Sequence, residues 1–330
     1  AATYSERPDG AHAELFIGLP EAKRRGLFGL LETRRADASP PPFVPANVAA
    51  FSRWRVDMGA AWKNLEKLLL ELSPDMANMF EFTVGLLGKD KDPDFDFKKS
   101  FLNNFGDDLI LFQMPPNGKS LNEFGAGAMA ALFKSPSPAE LIKGIGAVPG
   151  ILPPPLNEAA LEPRKLGKHT AQSFGVMELP DPSTGELVAS EILFAVKDDY
   201  MAVSTDADLL QGLLDGKPQS PLAKLDRLAP AAAAVGGMDS GFFGYQNDRV
   251  MVLSMMDTLR ANADQFEMIF SMIPMEGLDE VSLNDWLDFS LLPAGEKIAK
   301  YFDVTVYGAE TVERGISLKI FSPRPPTLKR

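Results

Sequence analysis

The sequence predicts an α+β fold: an antiparallel or mixed sheet with helices packed on one face, built from a duplicated half-domain. Three observations favour this class. Several predicted strands follow one another directly, helices do not alternate strictly with strands, and the same order of elements occurs twice. Hydrophobic residues make up 45% of the 330 residues, which is an ordinary share for a globular protein.

The first half of the chain contains a predicted strand at residues 14–19 and a strand-like stretch at 48–57. A helix follows over residues 58–72, because its apolar residues recur at the i, i+3, i+4 spacing of one helical face. Two further strands are predicted at 108–113 and 128–133, where apolar and β-branched or aromatic residues are concentrated.

Further along the chain, Ser137-Pro138 predicts a helix start, since proline is favoured at the first helical position. A hairpin is predicted from strands 192–196 and 200–204, and the helix after it begins at Asp206. The remaining predicted elements are a strand at 170–179, a long helix at 249–272, and strands at 302–307 and 315–321.

Two series of elements have the same order, which predicts the duplication. Residues 48–113 contain a strand, a helix, a triplet with Asp before Phe, a short helix and a strand. Residues 232–307 repeat this order, beginning with a strand-like stretch at 232–240. The strand at 14–19 also resembles the strand at 315–321, as expected if a preceding unit ended there.

Three segments follow from this repeat and from a proline-rich run at 39–45 that interrupts regular structure. Residues 1–45 are a leading segment, interpreted as the end of a preceding unit. Residues 46–218 form the first α+β unit, and residues 219–330 form a second, related unit with a C-terminal tail.

Two stretches of the chain resemble recurring elements of a known group of proteins. Residues 194–206 (FAVKDDYMAVSTD) and residues 95–109 (FDFKKSFLNNFGDDL) resemble elements of large exported bacterial proteins of unknown function. The resemblance covers less than a fifth of the chain and implies a periplasmic or extracellular location and a tandem α+β architecture. It carries no catalytic or binding residues. The start Ala1-Ala2-Thr3 is also what cleavage of a signal peptide would leave.

Composition excludes several classes of function. The 33 Lys and Arg residues against 45 Asp and Glu residues give a net charge of -12, so a nucleic-acid partner is not expected. No apolar run reaches the length of a transmembrane helix. The absence of cysteine excludes disulfides, zinc–cysteine sites, iron–sulfur clusters and thiol nucleophiles, and it is compatible with export.

An acidic stretch is the candidate metal site. Alternate residues of an extended chain point the same way, so neighbouring carboxylates there could converge on a hard cation such as calcium. The EF-hand pattern is not met, because Phe95 and Phe101 occupy its glycine and glutamate positions. A solvated loop neutralised by nearby lysines is the alternative. The candidate ligands are Asp90, Asp92, Asp94 and Asp96. No other cofactor is expected.

The long helix is rich in methionine and phenylalanine, whose adaptable side chains can line a pocket for an apolar ligand. The alternative is a core helix that covers the sheet. The candidate ligand-binding residues are Met251, Met255, Met256, Phe266 and Phe270.

Residues of the strand at 48–57 alternate in character. Phe51 and Trp54 predict an aromatic face, and Arg53 and Arg55 predict a basic one. The alternative is a half-buried strand with a solvated edge.

No catalytic motif fits the chain. Only His12 and His169 could serve a Ser-His-Asp arrangement, and Met238 breaks the G-x-S-x-G frame around Ser240. We therefore expect a non-enzymatic exported protein that binds other protein subunits, including copies of itself, as an envelope or extracellular assembly component. One alternative is a binding module for an apolar ligand, and another is a hydrolase that uses dispersed carboxylates.

Three structural observations would separate these functions. A cavity beside Met255, Met256 and Phe266 would favour ligand binding. A packed core with a large exposed apolar patch would favour assembly. A cleft with converging carboxylates of raised pKa would favour an enzyme.

Overall fold

The fold was analysed in a computed structural model, which describes residues 1–24, 35–89, 92–116, 127–151, 160–180, 187–216, 218–265 and 291–328. All the strands named below form one antiparallel sheet that is not closed into a barrel. The α+β class and the antiparallel sheet are thereby confirmed. None of the helices within these ranges combines the length and the apolar character that a membrane span requires.

The sheet has twelve strands within the described ranges, in the order β1-β2-β12-β11-β10-β3-β4-β5-β9-β8-β7-β6. Their bounds are β1 Ala2–Arg7, β2 Gly10–Gly18, β3 Ala50–Trp54, β4 Leu109–Gln113, β5 Met129–Lys134, β6 Leu161–Leu166, β7 His169–Pro180, β8 Leu187–Lys197, β9 Tyr200–Ser204, β10 Phe242–Gln246, β11 Thr305–Val312 and β12 Gly315–Pro323.

The helices are short, and most begin at a polar capping residue. Their bounds are α1 Met58–Leu72, α2 Pro74–Leu86, α3 Phe97–Ser100, α4 Pro138–Ile145, α5 Ala207–Asp215, α6 Leu228–Ala234, α7 Asp248–Ala261 and α8 Gly295–Ala299. Asp57 starts α1 by accepting a hydrogen bond from the backbone of Ala60, and Asp206 starts α5 in the same way. The predicted helices at 58–72 and after Asp206 are confirmed.

Helices cover both faces of the sheet, which extends the prediction of a single covered face. Successive side chains of a strand point to opposite faces. On face 1, Leu193 and Ala195 of β8 belong to the main core, which α5 and α6 cover. On face 2, Phe194 and Met201 pack with Leu141 of α4, and α1 to α3 form a layer outside α4.

The two predicted series meet at the centre of the sheet, where β3 and β10 pair antiparallel. From β3 the chain passes through α1, α2 and α3 to β4, which pairs with β3. From β10 it passes through α7 and α8 to β11, which pairs with β10. The two series therefore follow a similar course. That this reflects duplication stays a prediction, as do the three segments drawn from it.

The predicted strand at 232–240 is wrong, because its first residues end helix α6. Ala231 to Ala234 are strong helix formers, and Gly236 and Gly237 then turn the chain with positive φ angles. The first strand of the second series is β10 instead.

The predicted helix at 249–272 is not a single helix, because α7 ends at Ala261 and helical structure resumes only at residues 263–265. Asn262 interrupts it by donating through its side chain to the carbonyl of Thr258 at 2.8 Å. Residues 266–272 of the prediction lie outside the described residues.

Candidate functional site

Helix α2 exposes a continuous row of large apolar side chains, which we call the α2 stripe. Spacings of three and four residues place its members on one side of the helix. They are Met76, Met79, Phe82 and Leu86, with exposed fractions of 57%, 67%, 69% and 54%. At the adjoining end of α1, Leu70 and Leu72 are exposed as well. Large apolar residues on a surface helix indicate a surface that another molecule covers.

The opposite side of α2 is buried and fixes the hairpin of α1 and α2 to the fold. Val84 and Leu87 pack in a small core with Phe97 and Leu102. Trp62 of α1 stacks on Phe80 of α2, with ring centroids 5.6 Å apart. Helix α2 is therefore apolar on two sides, and only one of them is used within the chain.

Of the two acidic residues of α2, Asp75 lies beside the α2 stripe, and Glu81 lies on the side that faces α1 and α3. Asp75 and Glu81 are the charged residues of α2, which contains no Lys or Arg. Glu81 accepts a hydrogen bond from Lys98 at 2.7 Å, and Lys98 also contacts Glu66 of α1 at 3.0 Å. The pKa of Lys98 is raised chiefly by its hydrogen bond to Glu81.

A buried ionic cluster on face 1 joins side chains from β3, from the start of β4 and from β9, with β5 lying between β4 and β9. Arg53 donates to both carboxylate oxygens of Asp108, at 2.7 to 3.2 Å, and Arg55 donates to the same carboxylate at 3.0 Å. Tyr200 adds a hydrogen bond at 2.7 Å. The Asp108 side chain is fully buried, and burial followed by its hydrogen bond to Asp108 raises the pKa of Tyr200.

This cluster corrects the face pattern expected from the sequence. Phe51 and Arg53 both point to face 1, because they are two residues apart on the same strand. Trp54 points to face 2, where its ring lies 5.3 Å from that of Phe242. The arginines are thus held inside the fold by carboxylates, and they form no exposed basic face.

A groove of about 500 Å³ opens on face 2 beside α7, and we call it the α7 groove. Its apolar wall includes Met251 and Val252 of α7 and Phe302. Its polar lining includes Gln246 at the end of β10 and Asp248 at the start of α7.

Asp248 is held by two neutral donors. The side-chain amide of Gln246 donates to one carboxylate oxygen at 2.8 Å, and the hydroxyl of Thr305 donates to the other. Burial raises the pKa of the Asp248 carboxyl, with a smaller contribution from the charge of Asp303, and the two hydrogen bonds oppose this shift. Within the described part of the chain, no Lys, Arg or His forms an ion pair with Asp248.

A second, apolar depression of about 340 Å³ lies on face 2 next to the α7 groove. Gln246 lines both, and Tyr307 connects them by donating to the Gln246 side chain at 2.8 Å. Trp54, Phe242 and Met129 form much of its apolar surface.

The predicted methionine wall is only partly assembled. Met251 lines the α7 groove, Met256 is buried, and Met255 is exposed. Met251 and Met255 are four residues apart and lie on one side of α7, whereas Met256 points away from them into the fold. Phe266 and Phe270 lie outside the described residues.

The acidic stretch serves local structure at two of its positions. Asp92 accepts a hydrogen bond from the backbone of Asp94 at 3.1 Å, and Asp96 caps α3 through the backbone of Lys99 at 3.0 Å. No group of three or more acidic, histidine or cysteine side chains positioned for a metal ion occurs among the residues that the structure describes. Asp90 lies outside them, so the calcium site stays a prediction.

Sequence reasoning missed α2 and Asp248. The signal for α2 is present, since Ser73-Pro74 is the same helix start that identified α4, and Ser73 does cap the backbone of Met76. Asp248 resembles an ordinary first-turn acid, and its burial depends on Thr305 and Ser322, more than fifty residues away.

Comparisons with known proteins do not identify the chain. No known family model matches it, and neither does any curated protein. Among solved structures, the crystal structure of AnaPT from Neosartorya fischeri aligns with 93% of this chain and 86% of that chain at 11% identity, with a TM-score of 0.19. A similarity this low carries no argument, so function has to be inferred from the residues themselves.

Proposed function

We propose that the protein is a non-enzymatic interaction component that binds another protein chain through the α2 stripe. One observation carries the proposal: α2 is apolar on two opposite sides, and its stripe is exposed. A helix that is apolar all round is normally buried. Binding of a partner chain would bury the exposed apolar side of α2.

The size of the stripe suits a protein interface. Burying one large apolar side chain stabilises by about 1.5–3 kcal/mol. Burying the four residues of the stripe together with Leu70 and Leu72 would release free energy of the same order as the cost of association, about 4–15 kcal/mol. A few apolar anchors at the centre of an interface typically dominate its binding energy.

Charge indicates a protein partner rather than a membrane surface. Helices that lie on membranes are rich in Lys and Arg, whereas α2 carries Asp75 and Glu81 and no basic residue. Anionic lipid would repel Asp75, whereas Glu81 is already paired with Lys98. We therefore propose a partner with an apolar groove bordered by Lys or Arg, which receives α2 as an amphipathic helix. A second copy of this chain is one source of such a groove.

An exported setting is part of the same proposal. It is supported by the resemblance of residues 194–206 and 95–109 to exported bacterial proteins, and the cysteine-free composition is compatible with it. In that setting the protein would act as an envelope or extracellular assembly component.

Native mass spectrometry of the protein isolated gently from its own source tests the proposal. The wild type should carry a defined partner or further copies, with a mass above 35.9 kDa. A Met79→Ser/Phe82→Ser variant should be monomeric. The control variant Asn64→Ser/Lys67→Ser changes two exposed polar residues of the same hairpin and should keep the partner. A monomeric wild type, or a stripe variant that keeps its partner, would contradict the proposal.

A second candidate function is the binding of an apolar ligand in the α7 groove. The specific observation is that Met251, one of the residues expected to bind such a ligand, lines this groove together with Val252. A carboxylate-dependent hydrolase would need a second free carboxylate beside Asp248. Asp303 lines the same groove, but it is ion-paired with Arg227.

A further inference from the structure

We propose that the α7 groove binds an amphipathic organic amine, whose ammonium group pairs with Asp248 and whose apolar part lies against Met251 and Phe302. The inference rests on the second candidate function and adds the chemistry of the head group. It is independent of the α2 stripe.

The first argument is the missing counter-charge of Asp248. A carboxylate has about four acceptor positions, and the described contacts of Asp248 use two of them, with Gln246 and Thr305 as donors. Both donors are neutral. A partly buried charge without an opposite charge is costly, and a cationic ligand group would supply the opposite charge.

The second argument is the shape and lining of the groove. Its volume of about 500 Å³ lies within the range of small-molecule sites, about 300–1,000 Å³. Met251 and Val252 offer aliphatic contacts. Phe302 is partly exposed and adds an aromatic surface for the apolar part of the ligand.

The third argument concerns the other charges around the groove. Glu6, Arg7 and Arg324 also line it, but all three are exposed to solvent, where salt screens their charges. Asp303 already has Arg227 as its partner. Asp248 is therefore the carboxylate in the lining that combines partial burial with the lack of a cation.

Calorimetric titration with n-decylammonium and with 1-decanol tests the inference. The two probes share an alkyl chain, and only the first is charged at pH 7. Measurements in about 0.15 M salt reduce unspecific attraction to the acidic surface. The wild type should bind the ammonium about tenfold more tightly than the alcohol, as expected when a charged hydrogen-bonded pair forms.

Two variants test whether Asp248 causes the preference for the ammonium probe over the alcohol. Asp248→Asn should remove the tenfold preference and leave the affinity for 1-decanol unchanged. Glu6→Gln removes the same charge at the exposed rim of the groove and should change both affinities less than about twofold. Should Asp248→Asn fail to fold, the wild type gives the same information, because ammonium binding should weaken as Asp248 becomes protonated at low pH.

The outcomes distinguish a failure of the amine site from a failure of apolar-ligand binding in the α7 groove. Equal affinities for both probes, unaffected by Asp248→Asn, would overturn the amine site and leave apolar-ligand binding in place. Absence of binding by either probe to the wild type would overturn both. Neither result would affect the proposed protein interface at α2.

Discussion

The two central regions of the sheet each contain a buried or partly buried carboxylate, and these two carboxylates differ in the charge of their hydrogen-bond donors. In the region of β3 and β4, Asp108 is fully buried and receives Arg53, Arg55 and Tyr200. In the region of β10 and β11, Asp248 is partly buried, and its donors among the described residues, Gln246 and Thr305, are neutral. One carboxylate is satisfied within the chain, and the other retains the capacity to bind a cation.

This difference distinguishes a charged group that stabilises the fold from one that is available to bind a ligand. A charge that is paired and fully enclosed holds neighbouring strands in register and is inaccessible to ligands. A charge that is desolvated without a cation in a groove is a candidate binding group, because its best partner has to come from outside. The same reasoning applies to the two sides of α2, of which one packs against the protein and the other is exposed.

The largest expected effect is the loss of the carboxylate at Asp108. Asp108→Asn removes the one fully buried carboxylate that Arg53 and Arg55 share and leaves them only their more exposed partners, Asp37 and Asp107, so it should lower the free energy of unfolding by about 3–5 kcal/mol. Urea denaturation measures this. Asp107→Asn is the comparison variant within the same cluster: Asp107 also pairs with Arg55, at 2.9 Å, but it is partly exposed, so its loss should cost no more than about 1 kcal/mol. Similar losses for both variants would contradict the account of this region.

A neighbouring pair of leucines compares the two sides of α2. Leu87 is 5% exposed and Leu86 is 54% exposed. Leu87→Ala should therefore cost about 2–5 kcal/mol of unfolding free energy, and Leu86→Ala no more than about 0.5 kcal/mol. Partner binding should show the reverse order. A large stability loss in Leu86→Ala would mean that the stripe is already covered within the chain.

A smaller effect is expected at Tyr200, whose hydroxyl donates to Asp108 at 2.7 Å. Tyr200→Phe removes one hydrogen bond to a charged group and should cost about 1.5–3 kcal/mol. Tyr4→Phe is the control, because the Tyr4 hydroxyl contacts Glu6 on the exposed edge strand β1 and its loss should leave the denaturation midpoint unchanged. If Tyr200→Phe left the denaturation midpoint unchanged, this hydrogen bond would contribute little to the stability of the fold.

The smallest effect is expected at Asp248, and its sign depends on pH. Because burial raises the pKa of Asp248 in the folded state above 3.8, the fold disfavours the charged form. The contribution of Asp248 to stability is present below pH 3.8 and is lost as the pH rises through the raised pKa. Stability of the wild type relative to Asp248→Asn should therefore fall between acidic and neutral pH. A rising difference would contradict this prediction.

Local patterns in the sequence predicted local structure well. The spacing of apolar residues identified α1, and the turn at Asp198 between two apolar runs identified the hairpin of β8 and β9. The edge strand β1 was missed because its side chains are mostly exposed and show no alternation. The run of alanines in α6 was misassigned because its helix propensity was overlooked.

The candidate sites were less predictable, because they depend on contacts between distant residues. Arg53 and Asp108 are 55 residues apart, and Thr305 lies 57 residues beyond Asp248. No spacing rule connects such pairs. Exposure of the α2 stripe likewise depends on the packing of Val84 and Leu87, which an apolar sequence alone does not reveal.

The central claim is that Asp248 is a desolvated carboxyl group without a cationic partner. The most direct measurement is the titration of its side-chain carbon by NMR, assigned with Asp248→Asn. We expect a pKa above the ordinary value of 3.8, together with a fall in that pKa when a saturating alkylammonium is present. A pKa at or below 3.8 in the free protein would show that the charged form of Asp248 is already fully stabilised within the chain, and it would contradict the account.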